Sequence, residues 1–270
     1  MELGLKGRAC VVTGASRGIG RSTARMLCAE GGDVLLVARS EEQLIEAADE
    51  CASAGQDTGG RAEALVIDVT DAGAADRIVS EANDRLGQID VLVNNAGTAQ
   101  WRDLDDVPDE DWYAAFELNV MAPLRLMRAA GPAMRERGWG RIVNVSSTAG
   151  KRPSAAMAEY SVAKAAELSL SRLFADRFAA DNVLVNAICP GPVASELWMA
   201  EGGLLDQSKE LADHPTREAA LEAAGSKRPI GRLAEPEEIA GAIVFLCSEL
   251  ASYTSGAAWS VDGGTVQVII

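Results

Sequence analysis

The chain has 270 residues, 48% of them hydrophobic, and its formal net charge at pH 7 is -15. A chain this acidic, with a sequence pI of about 4.6, is a poor partner for nucleic acid or for an anionic membrane surface. No apolar run approaches the roughly 20 residues of a membrane-spanning helix, and a valine-rich strand stands where a leader peptide would lie. We therefore expect a soluble, cytoplasmic protein that binds neither nucleic acid nor membranes.

Metal and disulfide chemistry are not expected either. The five cysteines lie far apart and mostly within apolar helix or strand patterns, as small buried hydrophobic residues do. His214 is the only histidine and has no Cys or His neighbour at metal-ligand spacing. We predict no metal site and no disulfide framework.

A short buried strand over 8–13 leads directly into a glycine-rich turn and a helix that begins near Ile19. Glycines let the backbone approach a ligand, and the N–H groups at a helix N-terminus point at an anion. This order of elements predicts the phosphate site of a dinucleotide. Its candidate residues are Gly14, Ser16, Arg17, Gly18, Ile19 and Gly20.

The second predicted strand, over 33–38, indicates which dinucleotide binds. In dinucleotide folds an acidic residue at the end of this strand binds the ribose 2′-hydroxyl, and here that residue is absent. Ala38 cannot repel a 2′-phosphate, while Arg39, followed by Ser40, and Arg17 can reach one. We predict that NADP(H) is preferred and NAD(H) possible; alternatively, the two arginines are ordinary exposed side chains.

Apolar strands alternate with helical patterns along the chain, which is typical of a parallel sheet covered on both faces. No linker, repeat or low-complexity tract interrupts the alternation, so residues 1–270 are predicted to form one domain. Pro123 is expected to kink or restart the helix over 109–137. The predicted strands are 8–13, 33–38, 62–67, 89–93, 141–145, 183–188 and 257–261, and the predicted helices are 19–30, 41–54, 71–86, 109–137, 158–180 and 236–247.

The segment 194–232 is longer than most loops of compact domains and mixes apolar residues with charges at helical spacing. An insertion of this kind beside a ligand site is commonly a lid. We predict that it is a substrate-binding lid. Its apolar residues include Trp198, Met199, Leu204, Leu205 and Leu211.

Tyr160 and Lys164 stand four residues apart in a predicted helix, so both side chains project from one face. An ammonium beside a phenol favours the phenolate and suits it to acid/base catalysis. On its own, such a pair is more commonly a packed tyrosine and a solvated lysine. Here Ser147 follows a predicted strand, and the carboxyl ends of parallel strands are where ligands bind.

These motifs together resemble the classical short-chain dehydrogenase/reductase family, nearly from end to end of the chain. The resemblance implies an α/β fold: a single Rossmann domain with a seven-stranded, parallel, doubly wound sheet in the order 3-2-1-4-5-6-7 and helices on both faces. The motifs that carry it are 13–20 (TGASRGIG), Asp68, 94–97 (NNAG), Asn119, Ser147, Tyr160 with Lys164, 190–191 (PG) and 262–264 (DGG).

The resemblance also implies catalytic roles. Tyr160 corresponds to the acid/base, Ser147 to the group that hydrogen-bonds the substrate oxygen, and Lys164 to the residue that favours the phenolate and holds the nicotinamide ribose. Asn119 corresponds to the residue that supports a water-linked proton path to the lysine. Ser147 is preferred to Ser146 because it stands thirteen residues before the tyrosine, as in family members.

Further cofactor contacts follow from the same resemblance. The residues after the third strand are expected to contact adenine, those after the fourth to border its ribose, and those after the sixth to bind the carboxamide. Ser195 replaces the more usual threonine but keeps the hydroxyl. These positions are Asp68, Val69, Asn95, Ala96, Gly97, Pro190, Gly191, Val193 and Ser195.

The implied function is NADP(H)-dependent interconversion of a carbonyl and a secondary alcohol by hydride transfer. The family members most similar overall are 3-oxoacyl-acyl-carrier-protein reductases. Where members that dock the carrier protein have an arginine, this chain has Ala-Asp-Asn at 180–182, for which Arg135 and Arg137 compensate only partly. The mainly apolar pocket expected around Trp101, Ala149 and Met157 favours a hydrophobic or alicyclic ketone or alcohol, with a 3-oxoacyl thioester retained.

Two alternative functions stay open: an NAD-dependent alcohol, polyol or steroid dehydrogenase, and a non-catalytic NADP-binding redox sensor or scaffold. The second predicts the loss of a catalytic group, yet all four are present. Lys151 and Arg152 either bind a substrate carboxylate or phosphate or belong to a solvated loop. The resemblance further implies a homotetramer, or a dimer, that pairs the helices over 109–137 and 158–180 and buries the apolar tail 266–270.

Overall fold

Seven parallel strands form one sheet in the order β3-β2-β1-β4-β5-β6-β7, which confirms the predicted order. The structure, a computed structural model, describes residues 2–208 and 213–267. Leu211 and the end of the apolar tail, 268–270, lie outside these residues. The strands are β1 Ala9–Thr13, β2 Asp33–Ala38, β3 Arg61–Val66, β4 Val91–Asn94, β5 Gly140–Val145, β6 Val183–Pro190 and β7 Ala258–Val261.

The central strands are apolar almost throughout because helices cover the sheet on both faces. β1, β4, β5 and β6 are buried along their whole length, whereas the edge strands β3 and β7 are partly exposed. The helices are α1 Gly18–Ala29, α2 Glu41–Ala54, α3 Ala74–Leu86, α4 Asp109–Phe116, α5 Ala122–Arg137, α6 Ala158–Phe178, α7 Glu196–Met199, α8 Arg217–Ser226 and α9 Pro236–Cys247.

Two apolar clusters fill the space between the sheet and its helices. One joins a face of the sheet to α1, α2 and α9, and the other joins the opposite face to α3, α5 and α6. The predicted arrangement of helices on both faces is therefore confirmed. All five cysteines are buried and unpaired, and among the described residues no helix is both long and apolar enough to cross a membrane.

α1 and α6 differ from their predicted bounds by one or two residues at one or both termini, and two other predicted helices differ by more, for local reasons. α3 begins at Ala74 instead of residue 71 because Gly73 precedes it in the left-handed region, at φ 77°. The helix predicted over 109–137 is divided by a π-helical turn, Glu117–Met121, before α5 begins. Pro123 has no N–H to give to the carbonyl four residues earlier, and the N–H of Ala122 bonds Glu117 O, five residues back.

A third apolar cluster lies outside the sheet, at the carboxyl ends of the strands. It includes Trp198, Leu204 and Leu205 from the segment after β6, and Ala220 and Ala224 from α8. Trp101, Met157 and Tyr160 pack against it. The segment predicted as a lid thus covers the same edge of the sheet as the catalytic candidates.

Candidate active site

The glycine-rich turn after β1 packs against the segment after β4 with no space for side chains. Gly14 has a φ of 64°, and a Cβ placed on it would lie 2.8 Å from Ala96 Cα. A Cβ on Gly20 would lie 2.3 Å from the Gly14 carbonyl oxygen. The Asn95 side chain donates to the carbonyl oxygens of Thr13 and Gly14, at 3.0 and 3.1 Å, and so holds the turn in place.

The N-terminus of α1 opens toward this turn. Arg17, the N-cap residue, makes no side-chain cap, and the first turn of the helix holds no acidic residue. The Glu196 carboxylate approaches from α7, with Oε2 3.4 Å from a Cβ placed on Gly18. A Cβ on Gly18 would lie 3.2 Å from Ser195 Cβ, which brings the predicted phosphate and carboxamide residues together. Uncapped helix N–H groups beside a turn with glycines at 14, 18 and 20 fit the diphosphate of a dinucleotide.

Arg39, predicted to take a 2′-phosphate, pairs with a second predicted cofactor residue. Its side chain is 75% exposed, and Nη1 lies 3.2 Å from Asp68 Oδ2. Burial by itself would raise the pKa of Asp68, but hydrogen bonds from Thr70 and from Arg39 outweigh it and lower that pKa. Arg17 and Ser40 are exposed at the same edge. The arrangement keeps an exposed cation, Arg39, beside the end of β2.

The remaining cofactor candidates line the same edge of the sheet. Ser16 and Val69 are buried and Ile19 is half-buried. Pro190 ends β6, and the Gly191 N–H bonds the carbonyl oxygen of Val261 at the end of β7. Val193 is buried and forms an isolated bridge with Ala234. The structure thus brings all of these candidates to the carboxyl ends of the strands.

Tyr160 and Lys164 share one face of α6, as the spacing predicts. Lys164 is only 2% exposed, and its Nζ lies 5.8 Å from the centroid of the Tyr160 ring. Nζ donates to the Val145 carbonyl oxygen at 2.8 Å and pairs with Glu167 Oε2 at 2.9 Å. Burial alone would lower the pKa of Lys164, but the Glu167 carboxylate outweighs it and raises that pKa above its ordinary value.

The two adjacent serines make different hydrogen bonds. Ser146 is buried and donates its hydroxyl proton to the Lys164 carbonyl oxygen at 3.0 Å. Ser147 is half-buried and accepts the Ala149 N–H at 3.0 Å, and no described residue accepts its hydroxyl proton. Ser147 therefore has a proton to donate to a ligand, whereas the proton of Ser146 is already committed to α6.

Asn119 lies in the π-helical turn and is fully buried. Its Nδ2 donates to the Ala115 carbonyl oxygen at 2.9 Å, but Oδ1 has no hydrogen-bond partner among the described residues. A Cβ on Gly97 would lie 3.4 Å from this oxygen and 3.8 Å from Lys164 Nζ. A buried acceptor is costly unless it is hydrogen-bonded, so Asn119 Oδ1 is able to accept a hydrogen bond from a ligand or a water.

Comparison with known proteins identifies the family. A family model described as "Enoyl-(Acyl carrier protein) reductase" matches residues 14–266. The chain belongs to the short-chain dehydrogenase/reductase family. It is therefore an oxidoreductase of a family that acts on alcohol and ketone groups with NAD(P).

Individual relatives differ in substrate. The chain is 32% identical to the 3-oxoacyl-[acyl-carrier-protein] reductase FabG of Thermotoga maritima and 34% identical to the D-beta-hydroxybutyrate dehydrogenase of Cupriavidus necator, in both cases over 97% of this chain and 99% of the relative. The solved structure of L-sorbose reductase from Gluconobacter frateurii, complexed with NADPH and L-sorbose, is 36% identical, with a TM-score of 0.91 and full coverage of both chains.

One predicted alternative for the substrate site of this dehydrogenase/reductase is not supported by the geometry. Lys151 Nζ bonds the Ala258 carbonyl oxygen and Ser260 Oγ, the latter at 2.9 Å. The lysine therefore ties the turn after β5 to β7. Two of the three ammonium N–H groups are therefore already bonded, and a substrate carboxylate or phosphate would have to use the third or displace one of these bonds.

The sequence analysis of this family member missed Glu167, which is 1% exposed and pairs with the catalytic lysine candidate. The spacing of Lys164 and Glu167 could have indicated this pair, because residues three apart on a helix are neighbours. The π-helical turn around Asn119 was also missed. Only Pro123 indicated an irregularity in this helix. It predicted a kink at residue 123, whereas the π-helical turn covers Glu117–Met121.

Proposed function

We propose that this protein is an NADP(H)-dependent oxidoreductase that interconverts a carbonyl and a secondary alcohol, with Tyr160 as general acid/base. The observation that carries the proposal is the buried Lys164 ammonium, 5.8 Å from the centroid of the Tyr160 ring, at the sheet edge that also holds the glycine-rich turn. When bound, the nicotinamide supplies or accepts the hydride.

The four catalytic candidates act on one oxygen and its proton. Tyr160 gives a proton to the carbonyl oxygen in reduction and takes one from the alcohol in oxidation. Ser147 donates its hydroxyl proton to the same oxygen and stabilises the developing alkoxide. The Lys164 ammonium, shielded from water, places a positive charge beside the Tyr160 ring, and Asn119 Oδ1 offers an acceptor to a water beside the lysine.

The preference for NADP(H) rests on the end of β2. Ala38 stands where a carboxylate would repel a 2′-phosphate, and Arg39 and Arg17 are exposed beside it. An arginine offers a 2′-phosphate a planar set of N–H donors. The L-sorbose reductase that is similar over its full length was solved with NADPH, which supports the same preference.

A free ketone or alcohol fits this chain better than a thioester on a carrier protein. Trp101, Met157 and the Leu205 cluster give the pocket an apolar wall beside Tyr160. The two arginines expected to compensate in part for the missing docking arginine are both engaged: Arg135 pairs with Asp181, and Arg137 donates to the Ile89 carbonyl oxygen. A hydrophobic or alicyclic ketone is the proposed substrate, and a 3-oxoacyl thioester is the less favoured one.

A second substrate class, sugars and polyols, is favoured by one comparison and one contact. The L-sorbose reductase covers this chain completely at a TM-score of 0.91. Trp101 packs against the same apolar cluster as Tyr160, and its indole N–H has no acceptor among the described residues and can serve a substrate hydroxyl. Parallel assays with a cyclic ketone and a ketose separate the two classes.

Two further proposals concern the surroundings of the site. The segment 194–232 acts as a substrate-binding lid within a single domain, supported by its apolar packing against Tyr160. The protein assembles as a homotetramer or dimer, supported by the exposed apolar side chains of Tyr113 on α4 and of Val162 and Leu173 on α6. A monomer in light scattering would contradict the second of these.

The experiment that tests the proposed function follows NADPH and NADH absorbance with a panel of ketones and alcohols. Tyr160→Phe removes the transferable proton and is expected to lower kcat by about 10² to 10⁴-fold, with NADPH binding retained in a fluorescence titration. Tyr253→Phe, at a fully exposed tyrosine, is the matched control and should match the unmodified enzyme. Undiminished turnover by Tyr160→Phe would refute the assignment.

A further inference from the structure

A glutamate is buried directly beside the catalytic lysine candidate. Glu167 is 1% exposed, three residues after Lys164 on α6, and its Oε2 lies 2.9 Å from Lys164 Nζ. A carboxylate almost never lies fully inside a protein unless it is paired. The four catalytic candidates do not include this residue, so its burial needs its own explanation.

A buried polar network fixes the backbone on which Glu167 stands. The Asn94 side-chain N–H donates to Asn144 Oδ1 at 2.7 Å, and Asn144 Nδ2 donates to Ser171 Oγ at 2.7 Å. The Ser171 hydroxyl then donates to the Glu167 carbonyl oxygen at 2.8 Å. Strands β4 and β5 thus hold this turn of α6 in register, and the Glu167 carboxylate meets Lys164 without freedom to move away.

Few other charges act on the lysine. Besides Glu167, the titratable groups facing its ammonium among the described residues are the Tyr160 phenol on α6 and the Cys189 thiol on β6. Burial raises the pKa of Cys189 to about 11, so this thiol is uncharged at neutral pH. Ser146, at the end of β5, contributes a hydroxyl and no charge. Burial raises the pKa of the Glu167 carboxyl, and the Lys164 charge opposes that rise, so above this pKa Glu167 is the counter-charge of Lys164.

An ammonium without a counter-charge is not stable in such a place. Desolvation favours the neutral amine, and an opposite charge at contact distance reverses this preference. The Val145 carbonyl oxygen alone, 2.8 Å from Nζ, supplies a dipole but no charge. Without Glu167 the lysine would lose its proton at a lower pH.

We propose that Glu167 is a positioning residue of the reaction: its carboxylate keeps Lys164 charged and holds Nζ against the Val145 carbonyl, within reach of Tyr160. This inference rests on the proposed function, because the charge on Lys164 matters only if Tyr160 exchanges protons. Glu167 itself touches neither substrate nor cofactor and acts through the lysine. It adds to the site a fixed negative charge that lies behind the ammonium.

The first experiment measures the lysine directly and needs no turnover. The chain has five lysines, so ¹³C-labelled lysine gives few NMR signals, and Lys164→Arg assigns the one of interest. Glu167→Gln is expected to move the Lys164 titration down by about 1 to 3 pH units. Asp176→Asn, which removes an exposed carboxylate from the same helix, should leave it unchanged. A Lys164 titration equal in Glu167→Gln and the unmodified protein overturns the proposal.

The second experiment is the pH profile of kcat for ketone reduction. Glu167→Gln should lose activity on the alkaline side about 1 to 3 pH units earlier than the unmodified enzyme, because Lys164 loses its charge there, and should approach normal turnover at lower pH. Glu167→Asp, which keeps the charge, should restore part of the alkaline limb. A uniform loss of kcat at every pH would mark Glu167 as merely structural and overturn the proposal.

The two measurements separate failure of the inference from failure of the proposed function. If Tyr160→Phe turns over normally, the proposed function falls, whatever the lysine titration reports. If Tyr160→Phe is inactive but Glu167→Gln titrates and reacts like the unmodified enzyme, only the inference falls. If Glu167→Gln does not fold, the NMR titration of Lys164 in the unmodified protein still tests the proposal. A Lys164 that titrates below the ordinary lysine range would contradict its pairing with Glu167.

Discussion

A buried cation lies at each end of the strands: Lys164 at their carboxyl ends, here called the carboxyl edge of the sheet, and Arg141 at their amino ends, the amino edge. The two cations are balanced by opposite charge in different ways. At the carboxyl edge, Lys164 is enclosed with a single carboxylate, and nearby polar atoms such as Asn119 Oδ1 are left without protein partners. At the amino edge, Arg141, at the start of β5, is also only 1% exposed, but it is surrounded by a cluster that reaches solvent.

The amino-edge cluster is built around an aromatic ring. The guanidinium groups of Arg8 and Arg141 lie 3.6 and 4.5 Å from the ring centroid of Trp139. Glu249 lies near both arginines and accepts the Trp139 indole N–H at 2.8 Å. Because Glu249 is partly exposed, much of the desolvation cost that a buried ion pair carries is avoided.

The comparison separates charge used for stability from charge used for chemistry. Most groups of the amino-edge cluster bond one another, although Arg141 Nε has no hydrogen-bond partner among the described residues. The carboxyl edge holds a cation away from water beside a phenol and leaves Ser147 and Asn119 able to bond something else. Variants at the two edges should therefore separate the free energy of unfolding from catalysis.

The largest expected effect at the amino edge follows from Trp139→Ala. This change removes the ring shared by Arg8 and Arg141 and should lower the free energy of unfolding by about 2 to 4 kcal/mol. The kcat of the folded enzyme should not change. Urea denaturation measures the free energy of unfolding, and a steady-state assay measures kcat. Trp139→Phe keeps an aromatic face but loses the bond to Glu249, so it should cost only about 1 kcal/mol; equal losses from both variants would contradict the role of the ring.

A smaller effect is expected from the glycine-rich turn at the carboxyl edge. A Cβ on Gly20 would lie 2.3 Å from a backbone carbonyl oxygen, so Gly20→Ala must displace the turn, at about 1 to 3 kcal/mol. NADPH binding, followed by fluorescence, should weaken by about 10 to 100-fold.

The matched control for this variant is Gly241→Ala, in the exposed middle of α9, where a Cβ would have no neighbour within 4 Å. It should bind NADPH normally and gain up to about 1 kcal/mol of stability. Tight NADPH binding by Gly20→Ala would show that the close packing of the turn is not needed for the cofactor.

The smallest expected effect compares two exposed Arg–Asp pairs at opposite edges of the same strands. Arg39 pairs with Asp68 at the carboxyl edge, and Arg61 pairs with Asp33 at the amino edge. Arg39→Ala should raise the KM for NADPH about tenfold and leave that for NADH unchanged, since only NADPH carries the 2′-phosphate. Arg61→Ala should change neither. An equal rise for both cofactors would contradict a role for Arg39 in phosphate binding.

Local sequence signals predicted much of the fold. β2, α2 and α9 have the predicted bounds, and for α9 the cause is visible: Pro236 follows the N-cap, and Glu235 and Glu238 form a capping box. Tyr160 and Lys164 meet because helical spacing alone puts them on one face. These features depend on residues within one or two turns of each other, so a single sequence contains them.

Other features depended on contacts between distant segments. The sequence pattern could not show that Arg39 pairs with Asp68, twenty-nine residues later, or that Ser146 and not Ser147 bonds the backbone of α6. The spacing makes Glu167 a neighbour of Lys164 on α6, but it could not show that the pair would be buried, because a glutamate next to alanines and leucines suits either face of the helix.

The sequence by itself determined the order of strands and helices, the glycine-rich turn and the spacing of the catalytic pair. The tertiary structure decided which charges are buried and with what partner. The physical reason is that periodicity reports only which face of an element is apolar. The cost of burying a charge, and the counter-charge that offsets it, arise only when separate elements pack together and exclude water.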